Sequence, residues 1–284
     1  LAADVKTQPT ASSPLTSFES LTGEDSCIIG HPKMQLKCVP APTGRKAKIL
    51  LTSGACTKES DTGRQAGALG KFHHFLGAVF VELDGREFYP WQINADRLDG
   101  SFIHQDKRYT TKGVTKAPRA LGLMQGDIHA LFACPLVDAA THGPGGIVEV
   151  LDPEDVGWHD TLEGCAFNHH HAGDPFIAQA KAQSGFGDGR AEVVHAIDHV
   201  RARTKGRRSV IIPSNHDNFL ARWVRETDWR TCGNKAFYLE TAMAMLRSVR
   251  MGPGGAECAD PFKYWVDRLK NTKTIRALEV DESY

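Results

Sequence analysis

Apolar and polar positions change rhythm near residue 117. Before it, short apolar runs are separated by Gly-, Thr- and charge-rich stretches, and "KILLTSGAC" (Lys48–Cys56), "FHHFLGAVFVEL", "REFYPWQINA" and "SFIHQDKRYT" read as strands. Asp84-Gly85 lies between two of them and signals a hairpin, because both residue types tolerate the positive φ of a type I′ turn. Beyond residue 117, apolar runs alternate with helical periodicity. "RALGLM" predicts a buried strand, "ALFACPLVDAATHGPGG" a short helix broken by glycines, "IVEVL" a strand and "DVGWHD" the end of a neighbouring one. "DPFIAQAKAQ" and "RAEVVHAIDHVRARTKG" predict helices, and "RRSVIIPS" a strand. "DNFLARWVRETDW", "NKAFYLETAMAMLRSVR", stopped by "MGPGG", and "DPFKYWVDRLKN" predict three further helices. Strands alternating with helices imply an α/β fold with a largely parallel sheet covered by helices. The chain accordingly divides into a flexible lead-in over 1–24, a β-rich part over 25–116 and an α/β core over 117–284.

Composition narrows the picture only slightly. The chain has 41% hydrophobic and 24% charged residues, and its 34 Lys and Arg balance 34 Asp and Glu. That balance argues against a uniformly basic surface but leaves room for a local patch, "RARTKGRR" (Arg201–Arg208). A solvated helix end is the commoner meaning of such a run. The opening residues hold no apolar signal-peptide core, and no apolar run is long enough to cross a bilayer. Seven scattered cysteines without a CxxC pair fit a reducing compartment better than a disulfide framework. The expectation is a cytoplasmic protein without a membrane partner.

The chemistry sits where predicted strands end, which in open α/β sheets is where ligands bind. "LGLMQGDIHA" places Asp127 and His129 after an apolar run. In extended backbone i and i+2 point the same way, so both can reach one metal ion. "VGWHDTLEG" presents His159, Asp160 and Glu163, and "VIIPSNHDNFL" presents Asn215, His216 and Asp217. Each piece has a bland alternative. Asp160 with Glu163 has capping-box spacing, and Asn215 or Asp217 can cap the helix starting near Phe219. Recurrence at three successive strand ends favours a pair of divalent cations.

"GDIH", "HDTLEG" and "SNHD", in that order, resemble the motif set of calcineurin-like metallophosphoesterases: D-x-H, G-D-x-x-D and G-N-H-[DE]. The match runs from Leu121 to about Asp217. Trp158-His159 replaces the Gly before Asp160, Glu163 replaces the second Asp, and Ser214 replaces the Gly before Asn215. The resemblance implies a metallophosphoesterase-type α/β sandwich of mixed sheets flanked by helices, over 117–284. It implies that Asp127 and His129 bind one metal, that Asp160 bridges two, and that Asn215 binds the second. His216 would face the scissile phosphate as proton donor or charge stabiliser, oriented by the carboxylate of Glu163. The two divalent ions would be Mn²⁺ first, with Zn²⁺, Fe or Mg²⁺ as alternatives, acting through a bridging water nucleophile. The family's further His and G-H-x-H are missing after His216, so the core is expected to continue beyond Tyr284.

"FNHHHAGDP", "TSGACT", "GKFHHFLGAVFVELDG" and "FYLETA" resemble phage-encoded members of this superfamily associated with host-DNA degradation. That resemblance implies a DNA nuclease or exonuclease, likewise in the host cytoplasm, with DNA as partner and a homo-oligomeric state. His159, His169, His170 and His171, with Arg207 and Arg208 of the basic run, are further site or DNA-contact residues. A polar loop before a helix is an equal reading of the three consecutive histidines, and strand packing is the default for His73 and His74. The alternatives are a phosphomonoesterase or nucleotide phosphodiesterase, and a non-catalytic DNA-binding or scaffold protein on the same core.

Overall fold

Two apolar clusters organise the chain. The computed structural model describes residues 7–42, 44–59, 63–85, 87–171, 173–253 and 255–279. Contacts divide it into two units, Leu1–Pro118 and Arg119–Tyr284.

The first unit is a set of small sheets. β1 (Cys27–Ile29) and β3 (Lys48–Thr52) pair in parallel, with β2 (Leu36–Val39) antiparallel on the other side of β3. Leu15, Phe18, Cys27, Ile29 and Leu50 form the core beneath them. Leu15 and Phe18, the latter in the single turn α1 (Phe18–Leu21), are thus packed, which corrects the flexible lead-in for that stretch. α2 (Gln65–His73) leads into the hairpin of β4 (Gly77–Asp84) and β5 (Glu87–Asn94). Its register pairs Asp84 with Glu87, so Gly85, at φ 58°, opens the loop that was expected to centre on Asp84-Gly85. "SFIHQDKRYT" makes two strands, β6 (Phe102–His104) and β7 (Lys107–Thr110). They turn at Gln105, and β8 (Gly113–Lys116) follows.

The second unit is built on four parallel strands in the order β14-β11-β10-β9. These are β9 (Gly122–Asp127), β10 (Asp155–His159), β11 (Arg208–Ile211) and β14 (Ile275–Ala277). Inward positions Val156, Trp158, Ile211, Ile275 and Ala277 meet α6 (Gly189–Thr204) and α9 (Pro261–Leu269) in one core. α3 (Pro135–His142) and α4 (Ile147–Leu151) join β9 to β10, and α5 (Pro175–Ser184) precedes α6. α7 (Asn218–Glu226) and α8 (Lys235–Arg247) follow β11. The antiparallel ribbon β12 (Arg250–Gly252) and β13 (Gly255–Glu257) comes next.

Four expectations change here. "IVEVL" is a one-turn helix, not a strand: a short run of four apolar residues around Glu149 fits either state, and Gly146 starts a turn whose buried member is Val148. "RALGLM" is the edge strand of the sheet, with Leu121 77% and Met124 54% exposed, so it is not buried. "TIRAL" supplies β14, a strand the pattern near the C-terminus did not announce. Lastly, among the described residues the main sheet of this unit is all-parallel and only the short β12–β13 ribbon is antiparallel, in place of the expected mixed sheets. Met124, Gly157, Val210 and Ile212 line an apolar groove on the main sheet. A Cβ on Gly157 would sit 2.5 Å from Met124 Sδ, so Met124 would have to swing aside to admit one. No described helix is long and apolar enough to cross a membrane.

Candidate metal centre

Asp127, His159 and Asn215 lie at or just beyond the carboxyl ends of β9, β10 and β11, so all three motifs reach one edge of the sheet. Main-chain bonds hold the segments that follow. The N–H groups of Ile128, His129 and Ala130 donate to the carbonyls of His159, Asp160 and Thr161 at 3.1, 2.8 and 3.1 Å. The ladder therefore continues past the strands while the backbone bends: His129 and Asp160 have φ of 44° and 45°, in the left-handed region.

Two groups of side chains that could hold a metal result. One joins His129, Glu163 and His216, the other Asp127, His159 and Asp160, with ligand atoms in each group within 4.8 Å of one another. His129 Nδ1 lies 2.8 Å from Glu163 Oε2 but is not aligned to hydrogen-bond it. The His129 and His216 rings meet edge-on, centroids 4.6 Å apart. In the second group His159 Nδ1 is 3.0 Å from Asp127 Oδ1 and 3.5 Å from Asp160 Oδ2. Asp160 is only 4% exposed, and its Oδ1 is buried without a partner. An unpaired buried carboxylate oxygen is costly, and a cation beside it removes that cost. Carboxylates with imidazoles suit Mn²⁺, Fe or Zn²⁺.

The geometry redistributes the expected roles. Asp127 and His129 fall into different groups, because the left-handed turn at His129 breaks strand alternation. His159 joins Asp127 and Asp160. His216 is held by the Glu163 backbone carbonyl, which accepts from Nδ1 at 2.7 Å, and not by the Glu163 carboxylate. Asn215 is exposed on the turn after β11. Asp217 makes no capping bond to α7; its Oδ1 accepts from Leu162 N–H at 3.4 Å, tying the third motif to the second. Burial pushes its carboxyl up to about 8.

Beyond the two groups, Glu192 of α6 accepts from the N–H groups of Cys165 and Ala166, both at 2.8 Å, and so anchors the turn that follows Glu163. Burial raises its pKa, although those donors pull it down. His169, His170 and His171 form a single 3-10 turn outside both groups. His169 Nε2 meets Arg222 Nη1 at 2.8 Å, and its ring stands edge-on to Phe219. Desolvation, and then Arg222, lower its pKa. Arg207 and Arg208 lie apart from both groups. They start β11 at the opposite end of the sheet, where Arg207 pairs with Asp152 and Arg208 with Asp155 and Glu154.

A cavity of about 540 Å³ opens beside the His129, Glu163 and His216 group. Its wall includes Gln125, Phe132, Cys134, His142 and His199, none singled out by the sequence. Only Cys134 left a signal, standing before Pro135 at a helix start, where the N–H groups of Val137 and Leu136 lower its thiol pKa.

The chain is similar to Protein A1 of Escherichia phage T5, 31% identical over 236 residues, which is 78% of this chain and 42% of that relative. The chain thus spans less than half the relative's length. No family model matches it, and no solved structure matches.

Proposed function

We propose that this chain carries the metal-dependent centre of a phosphodiesterase that hydrolyses DNA. The observation that carries the reading is the meeting of two His–carboxylate groups at the carboxyl edge of one parallel sheet, from motifs in the order Asp127–His129, His159–Asp160–Glu163 and Asn215–His216. The phage relative is in keeping with a phage enzyme. The choice of DNA rests on the resemblance of the flanking segments to phage nucleases.

His129 and Glu163 would hold one divalent cation, and Asp127, His159 and Asp160 the other, with Asn215 completing a shell from the neighbouring turn. When bound, such a pair activates a water and neutralises charge on the attacked phosphoryl group. The remaining work falls to protein groups. The Glu163 carbonyl can only accept, so His216 Nδ1 bears the proton and the ring is fixed. Its Nε2 is then the free end, and in the imidazolium form it donates a proton to the departing alkoxide. The buried Asp217 and Glu192 keep the turns bearing Asn215 and Glu163 in place.

Nicking of supercoiled plasmid with Mn²⁺ and with EDTA tests this reading. Cleavage that needs Mn²⁺ and is lost in Asp160→Asn supports it; cleavage in EDTA, or full activity in that variant, overturns it. The phosphomonoesterase alternative calls for a closed pocket, whereas the cavity beside the centre is open. That alternative predicts release of phosphate from a 5′-mononucleotide with intact plasmid.

A further inference from the structure

The cavity beside the His129 group is larger and less polar than a phosphate needs. It runs from the ligands to α3, past Phe132 and Val137, which are 55% and 64% exposed. A phosphodiester centre alone gives no reason for an exposed aromatic ring there. The Phe132 ring meets Phe186 at 85°, centroids 5.3 Å apart, so it is braced while at least one face stays bare.

The polar atoms of the wall are also unfinished. Gln125 Oε1 accepts from His142 Nε2 at 2.9 Å, but Gln125 Nε2 is enclosed without a partner. His142 lies flat on Trp158, the planes 4° apart, which fixes its ring. Burial lowers the His142 pKa, so the ring is neutral. With its proton on Nε2, its Nδ1 is an acceptor, and it too is enclosed and unpaired. Both residues line the cavity, so one unpaired amide donor and one unpaired imidazole acceptor lie just beneath its wall, next to an aromatic face. A planar heterocycle whose edge offers an acceptor and a donor answers all three, and nucleobases stack on aromatic side chains in this way.

We infer that this cavity receives the base of a nucleotide flanking the scissile phosphate, with Phe132 as stacking face and Gln125 and His142 reading its edge. The inference rests on the proposed function and narrows its substrate class to esters that carry a base. Neither Phe132 nor Gln125 belongs to the metal groups, so changing them tests base recognition without removing a ligand.

The test is equilibrium binding of dAMP and of 2-deoxyribose 5-phosphate to the full chain with Mn²⁺ present. The wild type binds dAMP roughly tenfold or more tightly than the base-free phosphate, a typical stacking preference. Phe132→Ala removes most of that preference, and Gln125→Leu reduces it, while deoxyribose 5-phosphate binding is unchanged in both. Equal binding of the two ligands by the wild type, or a preference that survives both substitutions, overturns the inference. The plasmid assay is separate: base preference without cleavage would sink the nuclease reading and leave the base site standing. Cleavage without base preference would do the reverse.

Discussion

His216 is the residue whose role the geometry most sharpens. Its Nδ1 is committed to a carbonyl, so only Nε2 can serve substrate or metal. The two uses separate experimentally. His216→Ala should lower plasmid cleavage about 10²–10⁴-fold while Mn²⁺ still binds, if the ring is a proton donor; lost metal affinity would make it a ligand. His129→Ala should instead weaken Mn²⁺ binding more than about 100-fold, read by calorimetry, since even outer partners of metal ligands are worth 10–100-fold. His199 governs acid stability. Burial, then Arg203, depresses its pKa to about 4, with Asp138 opposing. An unfolded His titrates near 6.5, so below that pH the unfolded chain takes up a proton that the folded chain refuses. The His199 contribution is full above 6.5 and falls by on the order of 3 kcal/mol as pH drops towards 4, against the raised Asp217 carboxyl, which gains stability over the same range. The difference in melting temperature between His199→Gln and wild type should move in favour of the variant as pH goes from 7 to 4; a constant difference would refute this. Asp127, His129, His159, Asp160, Glu163 and His216 were all legible as chemistry-bearing residues. Their grouping was not, because it depends on left-handed turns at His129 and Asp160 that no spacing rule encodes.

At the scale of elements, turns do the positioning. Gly164 has φ 75°, and a Cβ there would come within 2.6 Å of the Phe219 ring. Gly164→Ala should therefore push the Glu163 turn away from α7. We expect a loss of about 1–3 kcal/mol, read by denaturant unfolding, and weaker Mn²⁺ binding. Helix and strand alternation was readable wherever the runs were long: α6, α8 and α9 follow their apolar period, and Asp188 and Asp260 cap α6 and α9. It failed where a run was short or its partner distant. "IVEVL" satisfies either state, and β14 is a strand because β11 offers it an edge, pairing Ser209 with Ile275, Val210 with Arg276 and Ile211 with Ala277 far apart in the chain.

For the whole molecule, charge is arranged by sheet end. The basic run looked like a polyanion contact, but its Arg207 and Arg208 face Asp152, Asp155 and Glu154, away from the histidines. Replacing both with Ala should leave Mn²⁺-dependent cleavage within about twofold of wild type, at a cost of about 1 kcal/mol or somewhat more per pair because Arg207 and Asp155 are mostly covered. A tenfold loss of cleavage would return these residues to the substrate path. Sequence could name the run, but not which acids fold against it.

The continued ladder from Ile128–Ala130 to His159–Thr161 has one more consequence. Because carbonyls and N–H groups, not side chains, set where these turns lie, ligand identity is free to vary on a frame that stays put. The edge of this sheet is thus a socket that can be rewired: a thiolate at position 129, in His129→Cys, should turn its preference from Mn²⁺ towards Zn²⁺ or Cd²⁺ without redrawing the backbone.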